Sequence, residues 1–175
     1  MSIKSVLAKP FAKTIANRIY NYSNNSVKTQ QKVFKKLISK AANTKFGKDH
    51  NFKEIKSYED FKKLVPVRDY EALKPYVEEV VEGKSDILWE GKPLYFAKTS
   101  GTTSGTKYIP LTKESVPNHI KAARNALLMY INETKKADFL GGKMIFLQGS
   151  PKLSDTNGIK TGRLSGISAH YVPSY

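Results

Sequence analysis

Cysteine is absent from the 175 residues, which excludes disulfides, thiol nucleophiles and thiolate zinc sites. A reducing cytoplasm is compatible with that absence. Nor does any stretch approach the roughly 20 apolar residues of a membrane span. Lys4, Lys9, Lys13 and Arg18 interrupt the amino terminus, so it lacks the continuous apolar segment of a signal peptide. Acidic residues are few, 15 against 30 Lys and Arg, for a formal charge of +15. Histidine is rarer still. His50, His119 and His170 lie far apart with no helical H-x-x-x-H spacing, which argues against a histidine metal site.

What is present suits a globular protein. The chain is 39% hydrophobic and long enough for one domain, or a domain plus an appendage, with a real core. Charge is unevenly placed. Residues 1–65 carry fifteen Lys and Arg against four acids, whereas residues 66–175 carry fifteen against eleven. A basic segment, 1–65, therefore precedes a nearly balanced body, 66–175. Such a patch suits nucleic acid or an anionic surface. A solvated lysine-rich helix face is the favoured explanation, because the exposed aromatic platform of a single-strand binder is missing.

Ile3, Leu7, Phe11, Ile15 and Ile19 recur every fourth residue and predict a helical stripe in which Pro10 marks a start or a kink. A polar break over 21–26 should precede a second helix, capped by Asn25 or Ser26, burying Val27, Val33, Phe34, Leu37, Ile38 and Ala41 and stopping near Gly47. Ser57 with Asp60 resembles a capping box for a short helix through Leu64. Asp69 caps the next, and Pro75 suits the first turn of a further short helix ending at Gly83. Strands are expected at 94–98 and 107–111, the second near a sheet edge because Pro110 cannot donate. Thr112 or Ser115 should cap the longest helix, roughly 113–135, with the stripe Val116, Ile120, Ala123, Leu127 and Ile131. "KMIFLQG" (143–149) reads as a buried strand, the polar run after it as loop, and "ISAHYVPSY" as another strand. This order of elements indicates an α/β fold.

Between the first two strands lies "KTSGTTSGTKYIP" (98–110), eight consecutive Ser, Thr and Gly where a turn needs fewer. A surface loop is one reading. Phosphate binding is the other: glycines allow close backbone approach, hydroxyls donate, and Lys107 adds a point charge. The spacing is wrong for a Walker A loop, and neither a G-x-G-x-x-G nor a hydrolase elbow is present.

"TSGTTSGTK" resembles the phosphate loop of adenylate-forming enzymes, T-S-G-T-T-G-x-P-K, with one serine inserted and the proline missing. With "VPVRDY", "PY" and "LWEGKP" in order before it, the chain is similar over essentially its whole length to the auxin-responsive acyl-acid amido synthetases (the Gretchen Hagen family), their bacterial members in particular. The resemblance implies amino-terminal helices on an incomplete mixed sheet, part of the large domain of an adenylate-forming enzyme. It implies an ATP-dependent ligase that adenylates a carboxylic acid and passes the acyl group to an amine, usually an amino acid, with Mg2+ on the phosphates. Neither nucleic acid nor a membrane span belongs to that reading; the alternative is a non-catalytic basic binding module.

Carried over onto this chain, the phosphate loop comprises Ser100, Gly101, Thr102, Thr103, Ser104, Gly105 and Lys107. Thr106, and Thr99 at the strand's end, are equally well phosphate ligands or turn residues with no ligand. Arg124 is a candidate partner for a substrate carboxylate or a solvated helix residue, and His170 lines an acyl pocket or is a core histidine. Trp89 reads as packing. Family members are much longer, and no Y-x-x-[ST]-E-like or ribose-binding acidic motif follows Gly149. An amino-terminal portion unable to complete the reaction alone is therefore expected.

Overall fold

A computed structural model describes residues 3–99, 106–143, 145 and 147–171. The amino-terminal periodicity does produce a helix, α1 (Ile3–Asn24), but a different face is buried. Ser5, Ala12, Ile15 and Ala16 are buried, whereas Ile3, Leu7 and Phe11 are exposed. The partner explains this. α1 lies along α6 (Val116–Thr134), and small residues on the shared face allow close approach. Ala12 and Ile15 join Leu128, Ile131 and Ala137 in one core. The fully buried Ser5 hydroxyl donates to the Ala137 carbonyl at 2.9 Å, which satisfies it. Pro10 neither starts nor ends α1; the carbonyl its missing N–H would leave unpaired belongs to exposed Val6, within reach of water.

The expected break shrinks to Asn25, and α2 (Ser26–Ala41) follows at once. Asn25 occupies the N-cap position, yet its amide donates back to the Asn21 carbonyl, so no side chain caps α2. Only Ile38 and Ala41 of α2 are buried; Val27, Val33 and Leu37 are exposed. α2 ends before Gly47, which instead lies in α3 (Lys45–Asp49), where Thr44 accepts from the Gly47 N–H. Ile38, Ala41, Phe52 and Ile55 form a second core, flanked by Phe34, Phe46, Phe61 and Trp89.

Ser57 and Asp60 form a complete capping box on α4 (Tyr58–Leu64). Asp69 caps α5 (Tyr70–Val81) by accepting from the Ala72 N–H at 2.9 Å. Pro75 does not begin a separate helix but sits inside α5, nearly two turns beyond the cap. α6, at 19 residues, is shorter than α1, at 22. Thr112 and Ser115 bond each other ahead of α6 rather than capping it. Its buried residues are Val116, Leu128 and Ile131, with Leu127 exposed, a rotation matching that of α1.

Four strands make one mixed sheet: β1 (Tyr95–Thr99), β2 (Lys107–Leu111), β3 (Ser154–Thr156) and β4 (Ile159–Gly162), in the order β2-β1-β4-β3. β2 pairs antiparallel with β1 and occupies an edge, as Pro110 requires. β1 and β4 run parallel, and β3 and β4 form a hairpin. Asn157 and Gly158 turn that hairpin with φ of 51° and 82°. Phe96 and Ile159 pack with Val80 and Ile87 on one face; Ala97 and Leu111 pack with Val116 and Ile167 on the other.

Two expectations fail here. No described residue of 143–149 is in a strand, and Ile145 and Leu147 are 89% and 99% exposed; Met144 and Phe146 lie outside the described residues. The sheet takes its third and fourth strands from the polar stretch read as loop, because Ile159 and Thr161 alternate inward there. The described part of "ISAHYVPSY" closes α7 (Leu164–Ala169) instead of forming a strand.

Candidate functional site

β1 and β4 deliver their carboxyl ends side by side, where open α/β sheets place their ligand crevices. A cavity of about 490 Å³ opens there. Thr99 and Thr106, the two flanks of the hydroxyl-rich loop, line it. Ser100, Gly101, Thr102, Thr103, Ser104 and Gly105 lie outside the described residues. Lys107 starts β2, half-buried, with its ammonium 5.1 Å from the Tyr70 ring centroid. The Tyr70 hydroxyl accepts from the Tyr108 N–H at 2.9 Å, so one aromatic residue holds both the edge strand and its leading lysine.

Three cations reach the same cavity: Lys98, Lys152 and Arg163. Sequence reasoning missed all three, since nothing local marks them; only the pairing of β4 with β1 brings them together. Further hydroxyls come from Ser150, Ser154 and Thr161. No carboxylate lines the cavity among the described residues, and none pairs with these cations. Some lysines elsewhere are neutralised: Lys40 by Glu90, and Lys45 and Lys84 by Glu79, whose carboxyl the Lys45 bond holds below the usual range. An unbalanced positive pocket lined with hydroxyls has the chemistry of an oxyanion site.

The segment carrying Lys152 is pinned from below. The Gly149 N–H donates to the Ser165 hydroxyl at 3.2 Å, and His170 Nε2 donates to the Pro151 carbonyl at 2.9 Å. A Cβ on Gly166 would lie 2.1 Å from the Ser150 carbonyl oxygen, so only glycine permits this approach. Tyr171 donates to the Tyr95 hydroxyl at 3.1 Å, tying the chain just past α7 to β1; that bond and burial push the Tyr171 phenol up to about 12.

The remaining candidates lie elsewhere. Arg124 is exposed on α6, donating to Asn125 and lying 5.9 Å from the Phe11 ring. Trp89 donates to Glu114 at 3.3 Å and packs on the helical core. His50 is buried with both ring nitrogens engaged: Nδ1–H donates to the Phe46 carbonyl and Arg68 donates to Nε2, each at 2.7 Å. Among the described residues no three His, Cys, Asp or Glu cluster to hold a metal ion. Also among them, no helix is long and apolar enough to cross a membrane.

A small mixed sheet, clothed in helices and carrying a cationic, hydroxyl-lined cavity at its strand ends, is an α/β architecture. The chain belongs to the GH3 family: residues 15–172 match the GH3 family N-terminal domain. Among relatives, it is 28% identical over 152 residues to the indole-3-acetic acid-amido synthetase GH3.15 of Arabidopsis thaliana, covering 84% of this chain and 25% of that protein. To the probable indole-3-acetic acid-amido synthetase GH3.13 of Oryza sativa subsp. japonica it is 32% identical over 101 residues, 57% of this chain and 21% of the other. The chain thus spans about a quarter or less of these relatives' length. The solved structure of the AtGH3.15 acyl acid amido synthetase in complex with 2,4-DB shares the fold, with a TM-score of 0.76 and 23% identity over 91% of this chain and 28% of that one.

Proposed function

We propose that this chain supplies the phosphate-binding part of an ATP-dependent acyl-acid amido synthetase. A carboxylic acid attacks the α-phosphate of ATP to give an acyl-adenylate and pyrophosphate, and an amine, an amino acid by analogy with the relatives' names, then takes the acyl group. Residues 100–105 and Lys107 receive the phosphate oxygens, the backbone and hydroxyls as donors and the lysine as a point charge. Such chemistry rests on positioning and charge neutralisation rather than on a nucleophile of the protein. The lack of cysteine suits a reducing cytoplasm.

One observation carries the reading: the loop's flanks, Thr99 and Thr106, open into a cationic cavity, without a carboxylate among the described residues, at the ends of the parallel strands. The competing idea of a basic nucleic-acid module is not favoured by membership of this family. Calorimetric titration of the chain with ATP tests the proposal. Saturable binding abolished by Gly105→Val is expected, weakening only modestly between 50 and about 200 mM salt; nucleic acid held by many lysines would instead fall steeply over that range. No ATP binding, or binding unchanged by Gly105→Val, refutes it.

A further inference from the structure

Resting on that reading, we infer that Lys98, Lys152 and Arg163 form a second wall of the site that grips a diphosphate group, whether the terminal phosphates of bound ATP or free pyrophosphate. The hydroxyl-rich loop supplies neutral donors and one lysine. A diphosphate carries several negative charges and needs more cationic compensation than Lys107 gives. The structure places three further cations on the cavity that the loop's flanks open into, and no carboxylate among the described residues competes for them. Their placement is built rather than incidental. Lys152 follows a segment fastened to α7 by the Ser165 and His170 bonds and by the close approach at Gly166. Arg163 occupies the N-cap position of that same helix, immediately after β4. Lys98 comes from β1, its ammonium 5.7 Å from the Tyr108 ring centroid. Three elements thus border one space with cationic residues, and the planar Arg163 guanidinium suits two phosphate oxygens at once.

The test is calorimetric titration of the whole chain with pyrophosphate, ATP and AMP at low ionic strength. The double substitution Lys152→Gln/Arg163→Gln should weaken pyrophosphate and ATP roughly ten- to hundredfold, as loss of two charge-assisted contacts implies, and leave AMP within about twofold. Both side chains are exposed, so folding should be unaffected, as circular dichroism would verify. Lys28→Gln/Lys32→Gln on α2 removes the same charge elsewhere and should change none of the three ligands. Lys152→Arg, which keeps the charge and the Arg163 fork, should hold pyrophosphate affinity near that of the parent. Unchanged pyrophosphate binding in the first variant, or an equal loss in the α2 variant, overturns the second wall while leaving the ATP proposal standing. A parent chain that binds neither ATP nor pyrophosphate overturns both.

Discussion

Removing one oxygen atom from Tyr70 should loosen the edge strand that leads out of the hydroxyl-rich loop. β2 is flanked by β1 on one side only, and the Tyr108 N–H finds its acceptor in the Tyr70 hydroxyl at 2.9 Å. Tyr70→Phe deletes that acceptor and keeps the ring beneath Lys107. The amide then turns to water at an accessible edge, so the loss is the net value of one hydrogen bond, about 1 kcal/mol. At 1.4 kcal/mol per tenfold, Tyr108 amide exchange should accelerate roughly fivefold. Amides of β4, on the far side of β1, should keep their rates. Tyr70→Leu also removes the cation–π contact with Lys107, worth about 0.5–1 kcal/mol, and should weaken ATP binding where Tyr70→Phe does not. Hydrogen exchange followed by NMR reads the first effect and calorimetry the second. An unchanged Tyr108 rate in Tyr70→Phe would refute the reasoning.

Three further outcomes follow from local structure. Gly166→Ala forces its Cβ against the Ser150 carbonyl, a backbone atom that can yield only by moving the segment before Lys152, so it should lower both the thermal midpoint and pyrophosphate affinity. Asn157→Ala loses an αL-tolerant residue at φ 51° and the 2.7 Å bond from its amide to the Val81 carbonyl; urea denaturation should show a loss of about 2 kcal/mol. Ser57→Ala breaks the capping box. The Ser57 hydroxyl bond, with N–H bonds from Lys56 and Ser57, holds the Asp60 carboxyl below its usual range. A lowered pKa contributes stability above the unfolded value and loses it as pH falls through the folded one. Ser57→Ala should therefore flatten the acid limb of stability below about pH 4, measured by urea titration at several pH values.

Local chemistry was the legible part of this fold. Ser57, Asp60 and Asp69 announce their helices because a cap needs only its own turn, and Pro110 announces an edge because a missing N–H cannot serve two neighbours. Packing partners were not legible. The hydrophobic ranking favoured Ile3, Leu7 and Phe11 for burial, but packing along α6 buries the small Ala12 and Ala16, and Ser5 bonds Ala137 just beyond it. An apolar run such as 143–149 advertises a strand without naming what it would pair with, while the hairpin over 154–162 hides in polar residues apart from its Asn157-Gly158 turn. That dipeptide was the available signal. For the site, composition pointed to the loop and Lys107, whereas Lys98, Lys152 and Arg163 converge only through a parallel pairing between residues more than sixty positions apart.

A 15N–1H correlation spectrum of the chain, recorded during titration with ATP, tests the phosphate-site assignment most directly. The amides of Thr99, Thr106, Lys107 and Arg163, together with those of residues 100–105, should shift in one saturable process, and the α2 lysines should stay in place. Shifts confined to α1 and α2, or none at the carboxyl ends of β1 and β4, would contradict it.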